Sequence, residues 1–305
     1  MKDCRITIIT PTYNRAHTLT RSYESLKKQS FKGFKWLIYD DGSTDSTQEV
    51  VQSFKEEDHF EISYKRHENS KKFYTVFKAI ETVDTDYFAI LDSDDAYPDN
   101  ALEILIKEAD KLNPQEFISL IGHSIDEDGK IIGDLFPGNG FDGSVLEMRY
   151  KYKIKGDKNG LFITKPYLKY LRNFDYEAYK GKYAPQKIFF QIYDGEGMKT
   201  RFFNEIVRIY YKDDNDNQSM SADRVKPTSY EGLKDGYLSF INSYHNQFWK
   251  YPIPMIKNIG GYLIYSNLLG KNLNYCLAHI HFFIGKLLSI ILYPICFFII
   301  YLRNK

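Results

Sequence analysis

Three short polar clusters carry residues able to do chemistry: PTYNR from Pro11 to Arg15, DDGSTD from Asp40 to Asp45, and DSDD from Asp92 to Asp95. In the last, Asp92, Asp94 and Asp95 place three carboxylates within four residues, which like-charge repulsion makes costly unless a cation neutralises them. A hard divalent ion with oxygen ligands, Mg2+ or Mn2+, meets that need and can in turn hold a diphosphate. Each cluster taken singly has a plainer reading. Asp-rich turns are common as solvated loops, Asp99 or Asn100 could cap the helix after Pro98, and Asp45 could cap one in STDST.

What raises these clusters above ordinary turns is that each directly follows an expected strand. CRITIIT (4–10) is rich in β-branched side chains and stops at Pro11, FKWLIY (34–39) is a second strand, and YFAIL (87–91) precedes DSDD. Helices are expected up to about Gln29, through Val50, Val51 and Phe54, over 71–82, and over 101–112. Short strands are expected near 62–65 and over 117–125. Strands alternating with helices of this length favour a mostly parallel α/β sheet covered by helices, in which ligands bind beyond the carboxyl ends of the strands. Residues 131–160 are Gly-rich and read as irregular. KIFFQIYD and TRFFNEIVRIYY read as a further helix and strand, and the body is expected to end near residue 230.

Composition supports an enzyme-sized core: 305 residues, 43% hydrophobic and 27% charged. The formal charge of +1 argues against a nucleic-acid partner, yet it conceals a division along the chain. The last carboxylate is Asp235. The final 70 residues therefore hold six basic residues and no acid, while the first 235 hold 35 basic against 40 acidic. A basic, aromatic-rich tail on an acidic body points to a membrane or another anionic partner. Three cysteines without metal-like spacing, and a start with too short an apolar stretch for a signal peptide, point to a reducing compartment and a cytosolic catalytic face.

In order, spacing and strand context, ITIITPTYNR, WLIYDDGSTDST and YFAILDSDDAYPDNALE resemble the nucleotide-binding half of the family 2 glycosyltransferases, which have the GT-A fold. The resemblance is close over residues 4–125 and looser to about 220. It implies that Pro11, Thr12, Tyr13 and Asn14 wrap the base and ribose of a nucleotide sugar and that Asp41 accepts a hydrogen bond from uracil, with Asp40 a secondary candidate. It also implies that Asp92, Ser93, Asp94 and Asp95 form the DXD region, one carboxylate reaching the ribose and others, here Asp94 and Asp95, holding the metal. Arg15 is a candidate phosphate contact, although a cation at a helix start is not favoured by the dipole. The expected domains are 1–230, with a donor half (1–125) and an acceptor half (126–230), and a helical membrane-associating tail (231–305).

An inverting transfer needs a carboxylate to take the acceptor hydroxyl's proton. Where the family places that acid, this sequence reads Pro185-Gln186, and glutamine cannot be a base. Glu177 is the first candidate, with Asp194 and Glu196 as others. Gln186 also motivates the alternative of a membrane-tethered nucleotide-sugar-binding protein without transferase activity. Asp213, Asp214 and Asp216 belong to a polar loop that either closes over the donor or is merely solvated. No QxxRW element of processive synthases is present, which favours one sugar per encounter.

The tail supplies the remaining expectations. CLAHIHFFIGKLLSIILYPICFFIIYL (276–302) is apolar apart from a few positions, and Leu287–Leu302 is somewhat short of the roughly 20 residues of a span. It is expected to hold the protein at the cytoplasmic face of the membrane, lying in the interface or crossing it. Tyr237, Phe240, Ile241, Tyr244, Phe248 and Trp249 form an aromatic stripe that either packs internally or contacts lipid. The expected partners are a nucleotide-sugar donor, a glycan or polyprenyl-linked glycan acceptor and the membrane surface, with no nucleic acid.

Overall fold

The computed structural model describes residues 4–212 and 226–303. It divides into two compact units, Met1–Gly181 with Met198–Asn215, and Lys182–Gly197 with Asp216–Lys305. The segment around Lys187, placed in the body by an expected boundary at residue 230, groups here with the C-terminal helices.

The first unit is built on eight strands: β1 (Ile6–Thr12), β2 (Phe34–Asp40), β3 (Ile62–Arg66), β4 (Tyr87–Ile90), β5 (Phe117–Ile125), β6 (Gly140–Gly143), β7 (Lys158–Ile163) and β8 (Lys199–Ile209). Their order across the sheet is β3-β2-β1-β4-β7-β5-β8-β6. Strands β1 to β4 run parallel, as do β5 and β8, whereas β7 is antiparallel to both its neighbours and β6 is antiparallel to β8. The helices of this unit are α1 (Ala16–Lys27), α2 (Thr47–Glu56), α3 (Lys72–Ile80), α4 (Ala101–Ala109), α5 (Val145–Tyr150) and α6 (Thr164–Leu171).

Period-2 alternation sorts the strand side chains to two faces. Ile6, Ile8, Trp36, Ile38 and Ala89 join Leu19, Tyr23, Leu26, Phe54, Leu102 and Leu105 of α1, α2 and α4 in one buried cluster. The intervening Phe88 points the other way and stacks on Phe162 and against Tyr167 of α6. Burial on both faces is why these strands read as continuous apolar runs.

Two expectations are corrected by the ladder. Pro11 does not stop β1: it pairs in register with Tyr39. The Thr12 carbonyl accepts from Asp41 on the β2 side, so Pro11 turns its missing N–H to the β4 side, where pairing has already ended at Ile9–Ile90. Residues 131–160, read as irregular, contain β6, α5 and the start of β7. Strand β7 fits between β4 and β5 because Gly160 lets it come close: a Cβ there would lie 1.9 Å from the Leu120 carbonyl oxygen. Gly160→Ala is expected to cost at least about 2 kcal/mol by forcing the two backbones apart, measured by urea denaturation. A change within a few tenths of a kcal/mol would show that the sheet relaxes freely there.

The second unit contains α7 (Lys187–Gly195), α8 (Tyr230–Ser243), α9 (Pro252–Leu268), α10 (Leu273–His279) and α11 (Phe283–Arg303). Helices α7 and α8 are joined by the Ser239 hydroxyl donating to the Ile188 carbonyl at 2.8 Å and by the Tyr244 hydroxyl donating to Asp194 at 2.6 Å. The aromatic stripe is internal to this unit. Phe240, Ile241, Tyr244 and Phe248 are buried and Tyr237 stacks on Tyr265, leaving Trp249 as its exposed member.

Candidate active site

Parallel strands β1, β2, β3 and β4 end at one edge of the sheet, and the loops leaving them carry all three polar clusters. The first two loops are stitched together. Asn14 adopts a positive φ of 53°. Its amide donates to the Ser43 hydroxyl at 2.9 Å, while its side-chain oxygen accepts from the Thr44 amide at 2.7 Å. Asp45 accepts from the Ala16 amide at 3.1 Å and from the Thr47 amide and hydroxyl, so it ties the start of α1 to that of α2. The turn between them needs glycine at position 42, where φ is +83° and a Cβ would meet the Asn69 amide nitrogen at 2.8 Å.

Asp40 and Asp41 are buried at the end of β2 and serve different loops. Asp40 accepts from the Ser43 amide at 2.8 Å and from the Tyr64 hydroxyl. Asp41 accepts from the Ser70 amide at 2.6 Å and the Thr75 hydroxyl at 2.8 Å, with His67 Nε2 at 3.5 Å. Asp41 thereby anchors the loop from β3 to α3. Burial raises its carboxyl above the usual range, and these donors pull the other way. Nearby, the buried Thr12 hydroxyl finds no hydrogen-bond partner among the described residues, and Tyr13 is partly exposed.

One carboxylate oxygen from each of Asp92, Asp94 and Asp95 lies within 4.8 Å of the others. The turn that carries them is clamped from α1, where Arg21 donates to the Asp94 carbonyl at 2.7 Å and the Ser22 hydroxyl to that of Asp95 at 2.8 Å. Asn100 occupies the N-cap position of α4 without a side-chain cap bond, so capping does not explain that end of the loop. Among the described residues, two cations form ion pairs with the cluster. Lys72 Nζ is 2.8 Å from Asp92, and the buried Arg208 lies 3.2 Å from Asp95 and 2.7 Å from Asp157. Asp94 is the carboxylate with no ion pair of its own among the described residues.

Electrostatics follows this pairing. Burial would raise Asp92, but the Lys72 ammonium, together with the charges of Arg208 and Arg15, holds the group below the usual range. Burial, with Asp92 beside it, raises Asp94. Asp95 is pushed up to about 7 by burial, against the charge of Arg208 and with Asp92 and Asp94 adding to it. The charge of Arg15 lowers both Asp92 and Asp94. Three converging hard oxygen donors with incomplete counter-charge fit Mg2+ or Mn2+. Replacing Lys72 by methionine is expected to raise the affinity for Mn2+ without nucleotide by about tenfold, since a competing charge is removed. Electron paramagnetic resonance of free Mn2+ reads this, and unchanged affinity would mean that Lys72 does not compete for the cluster.

Glu177 is placed in the first unit, where it accepts from the Tyr74 hydroxyl and pairs with Lys78, both at 3.4 Å. Its contacts and those of the aspartates therefore fall on the same helix, α3, at Lys78 and Lys72. Six residues of helix separate these by about 9 Å along the axis. Asp194 is buried in the second unit and held by Tyr244, and Gln186 is exposed at the N-terminus of α7. Asp213, Asp214 and Asp216 lie outside the described residues. Lys72, Arg208 and Arg21 escape a motif search. The carboxyl-end rule applied to β3 as well would have flagged the loop that leads into Lys72 at the start of α3.

An uncharacterized glycosyltransferase of Rickettsia bellii is 29% identical over 146 residues, 48% of this chain and 21% of its own length. A Campylobacter jejuni protein, GalNAc(5)-diNAcBac-PP-undecaprenol beta-1,3-glucosyltransferase, is 26% identical over 140 residues, 45% of this chain and 44% of its own. The matches thus span about a fifth to under a half of these relatives. Among solved structures, S. aureus TarS 1-349 in complex with UDP-GlcNAc superposes with a TM-score of 0.61, covering 96% of this chain and 90% of that one, at 18% identity. That likeness shows the GT-A fold. The sequence model described as Glycosyl transferase family 2 matches residues 7–207, from β1 into β8 and through every loop of the aspartate-bearing edge, and the chain therefore belongs to glycosyl transferase family 2.

Proposed function

We propose that this protein is an inverting, non-processive glycosyltransferase that moves a sugar from a UDP-sugar to a hydroxyl of a glycan or polyprenyl-linked glycan acceptor in cell-surface polysaccharide synthesis. The observation that carries this reading is the convergence of Asp92, Asp94 and Asp95 at the edge where the cross-tied Asn14 and Asp45 loops also end. Family membership and the printed activity of the Campylobacter relative support it.

In this reading Pro11, Thr12, Tyr13 and Asn14 line the base and ribose, and Asp41 sets the uracil edge. Asp94 and Asp95 hold Mn2+ or Mg2+, with Asp92 and Ser93 beside them. The ion, when bound, offsets negative charge developing on the leaving diphosphate. Arg15 and Lys72 add cationic side chains at the same edge. Glu177 takes the proton of the acceptor hydroxyl, its carboxylate kept oriented by Lys78 and Tyr74. Glu177→Gln is expected to lower kcat by about 10²-fold or more while leaving donor affinity unchanged. An unaltered kcat would move the role to another carboxylate.

The donor assignment is tested by titrating a panel of nucleotide sugars with Mn2+ in a calorimeter. Binding of a UDP-sugar alone fits the Asp41 assignment, and binding only of a guanine nucleotide sugar removes it. Gln186, exposed where the family carries an acid, favours a second reading, nucleotide-sugar binding without turnover. Binding with no transfer to any supplied acceptor would select it.

Membrane attachment at the cytoplasmic face completes the proposal. It is supported by α11, in which Phe283–Ile300 is long and apolar enough to cross a bilayer and is mostly unburied, and by the absence of carboxylates after Asp235.

A further inference from the structure

Helix α11 has two unlike sides along its whole length. Gly285, Ser289, Cys296 and Ile300 form one buried stripe. The opposite side exposes Phe283, Ile291, Phe297 and Phe298, each more than half accessible. The buried stripe is fastened to α9: Cys296 Sγ lies 3.7 Å from the Gly260 carbonyl oxygen, and the Asn267 amide donates to the Tyr293 hydroxyl at 3.4 Å. The contact positions fall on α9 as those on α11 rise, so the two helices run antiparallel, which brings exposed Ile253 and Ile256 toward the exposed end of α11 at Leu302.

The middle of α11 is what decides between crossing a bilayer and lying on it. Twenty-one residues give about 31 Å of helix, enough for a hydrocarbon core, so length permits a span. A span would set Tyr293 and Cys296 near mid-bilayer. The part of α9 they contact, Gly260 to Asn267, is packed on its other side by α8 through Tyr230 and Tyr237, which meet Tyr265 at 5.4 and 5.7 Å. The same two turns of α8 carry Glu231, paired with Lys182, and the Lys234–Asp235 pair. Packed helices sit roughly 8–10 Å apart. Four ionised groups would thus lie within about two helix spacings of the bilayer centre, where each is costly.

Lying flat removes that conflict. The outward face of α11 then enters the acyl region, while α9 and, beyond it, the charged turn of α8 stay on the aqueous side. The surface that accepts it must tolerate Lys250, Lys257, Lys271 and Lys286 with no carboxylate among the last 70 residues. A second copy would bring like charges together, whereas an anionic leaflet complements them. We infer that α11 lies in the plane of an anionic membrane surface, outward face immersed and inner stripe retained on α9, and does not cross the bilayer. This rests on the membrane attachment proposed above.

The full chain, carrying Cys4→Ser to remove the exposed native thiol, is added to preformed phosphatidylglycerol–phosphatidylcholine vesicles. Lys286→Cys or Lys305→Cys is then labelled with a membrane-impermeant maleimide. Cys276 and Cys296 are buried and stay silent. Both engineered thiols are expected to react from outside without detergent, and Ile291→Glu, on the exposed face, is expected to weaken vesicle binding at least about tenfold. One thiol protected until detergent is added would overturn the in-plane arrangement and leave membrane attachment standing. No binding to any vesicle would overturn attachment itself, and equal binding to pure phosphatidylcholine would overturn the anionic preference.

Discussion

Asparagine in place of Asp94 is expected to lower metal-dependent sugar transfer by about three orders of magnitude, the equivalent of roughly 4 kcal/mol of transition-state stabilisation. Asp94 is singled out within its cluster because Asp92 is already paired with Lys72 and Asp95 with Arg208. Its carboxylate is raised by burial and by Asp92 and has no cation of its own among the described residues, so a divalent ion would supply the counter-charge it lacks. The substitution preserves shape and removes one charge, so the fold should be unaffected. The backbone of residue 94 is held through its carbonyl by Arg21, a contact that asparagine keeps. Initial rates at saturating Mn2+, together with Mn2+ affinity in the presence of UDP, check the expectation. A rate within tenfold of the parent would remove Asp94 from the metal site.

The second large effect concerns stability. Arg208 is almost fully buried, bridges Asp95 and Asp157, and also donates to the Ser124 hydroxyl at 3.0 Å. Arg208→Met leaves the buried Asp95 without its cation, and breaking a buried pair from one side typically costs about 3–5 kcal/mol. The loss should depend on pH. Asp95 is raised to about 7 in the folded chain and falls to an ordinary carboxylate value on unfolding, so between these the folded state binds more protons. Stability contributed by this group therefore declines as pH rises toward 7, and without Arg208 the decline extends to higher pH. Urea denaturation in a chelating buffer should show a larger deficit at pH 8 than at pH 5. Equal deficits would mean that Asp95 does not titrate in this range.

How much of this was readable beforehand depended on whether a residue's role was set by its neighbours in sequence. ITIIT, FKWLIY and YFAIL are largely buried on both faces, so their apolar runs announce strands, and the turns after them locate the aspartates. Strand β7 was hidden because its segment, KNGLFI, opens on three residues that disfavour strands, and only the close approach at Gly160 explains its place beside β5. Lys72 and Arg208 come to the aspartates from a helix start and from the far end of β8, through tertiary structure that no local pattern encodes. The aromatic stripe of the tail was legible as amphipathic. Which surface it meets was not, since an apolar helix face looks the same whether a neighbouring helix or lipid covers it.

The stitching of the first two loops has a thermodynamic consequence. Asn14, Ser43, Thr44 and Asp45 already hold each other, and the turn at Gly42 is locked by its backbone, so a nucleotide arriving there has little chain to immobilise. The configurational entropy lost on binding should fall mainly on the ligand, and the heat-capacity change should match the area the nucleotide covers, with no excess from segments folding around it.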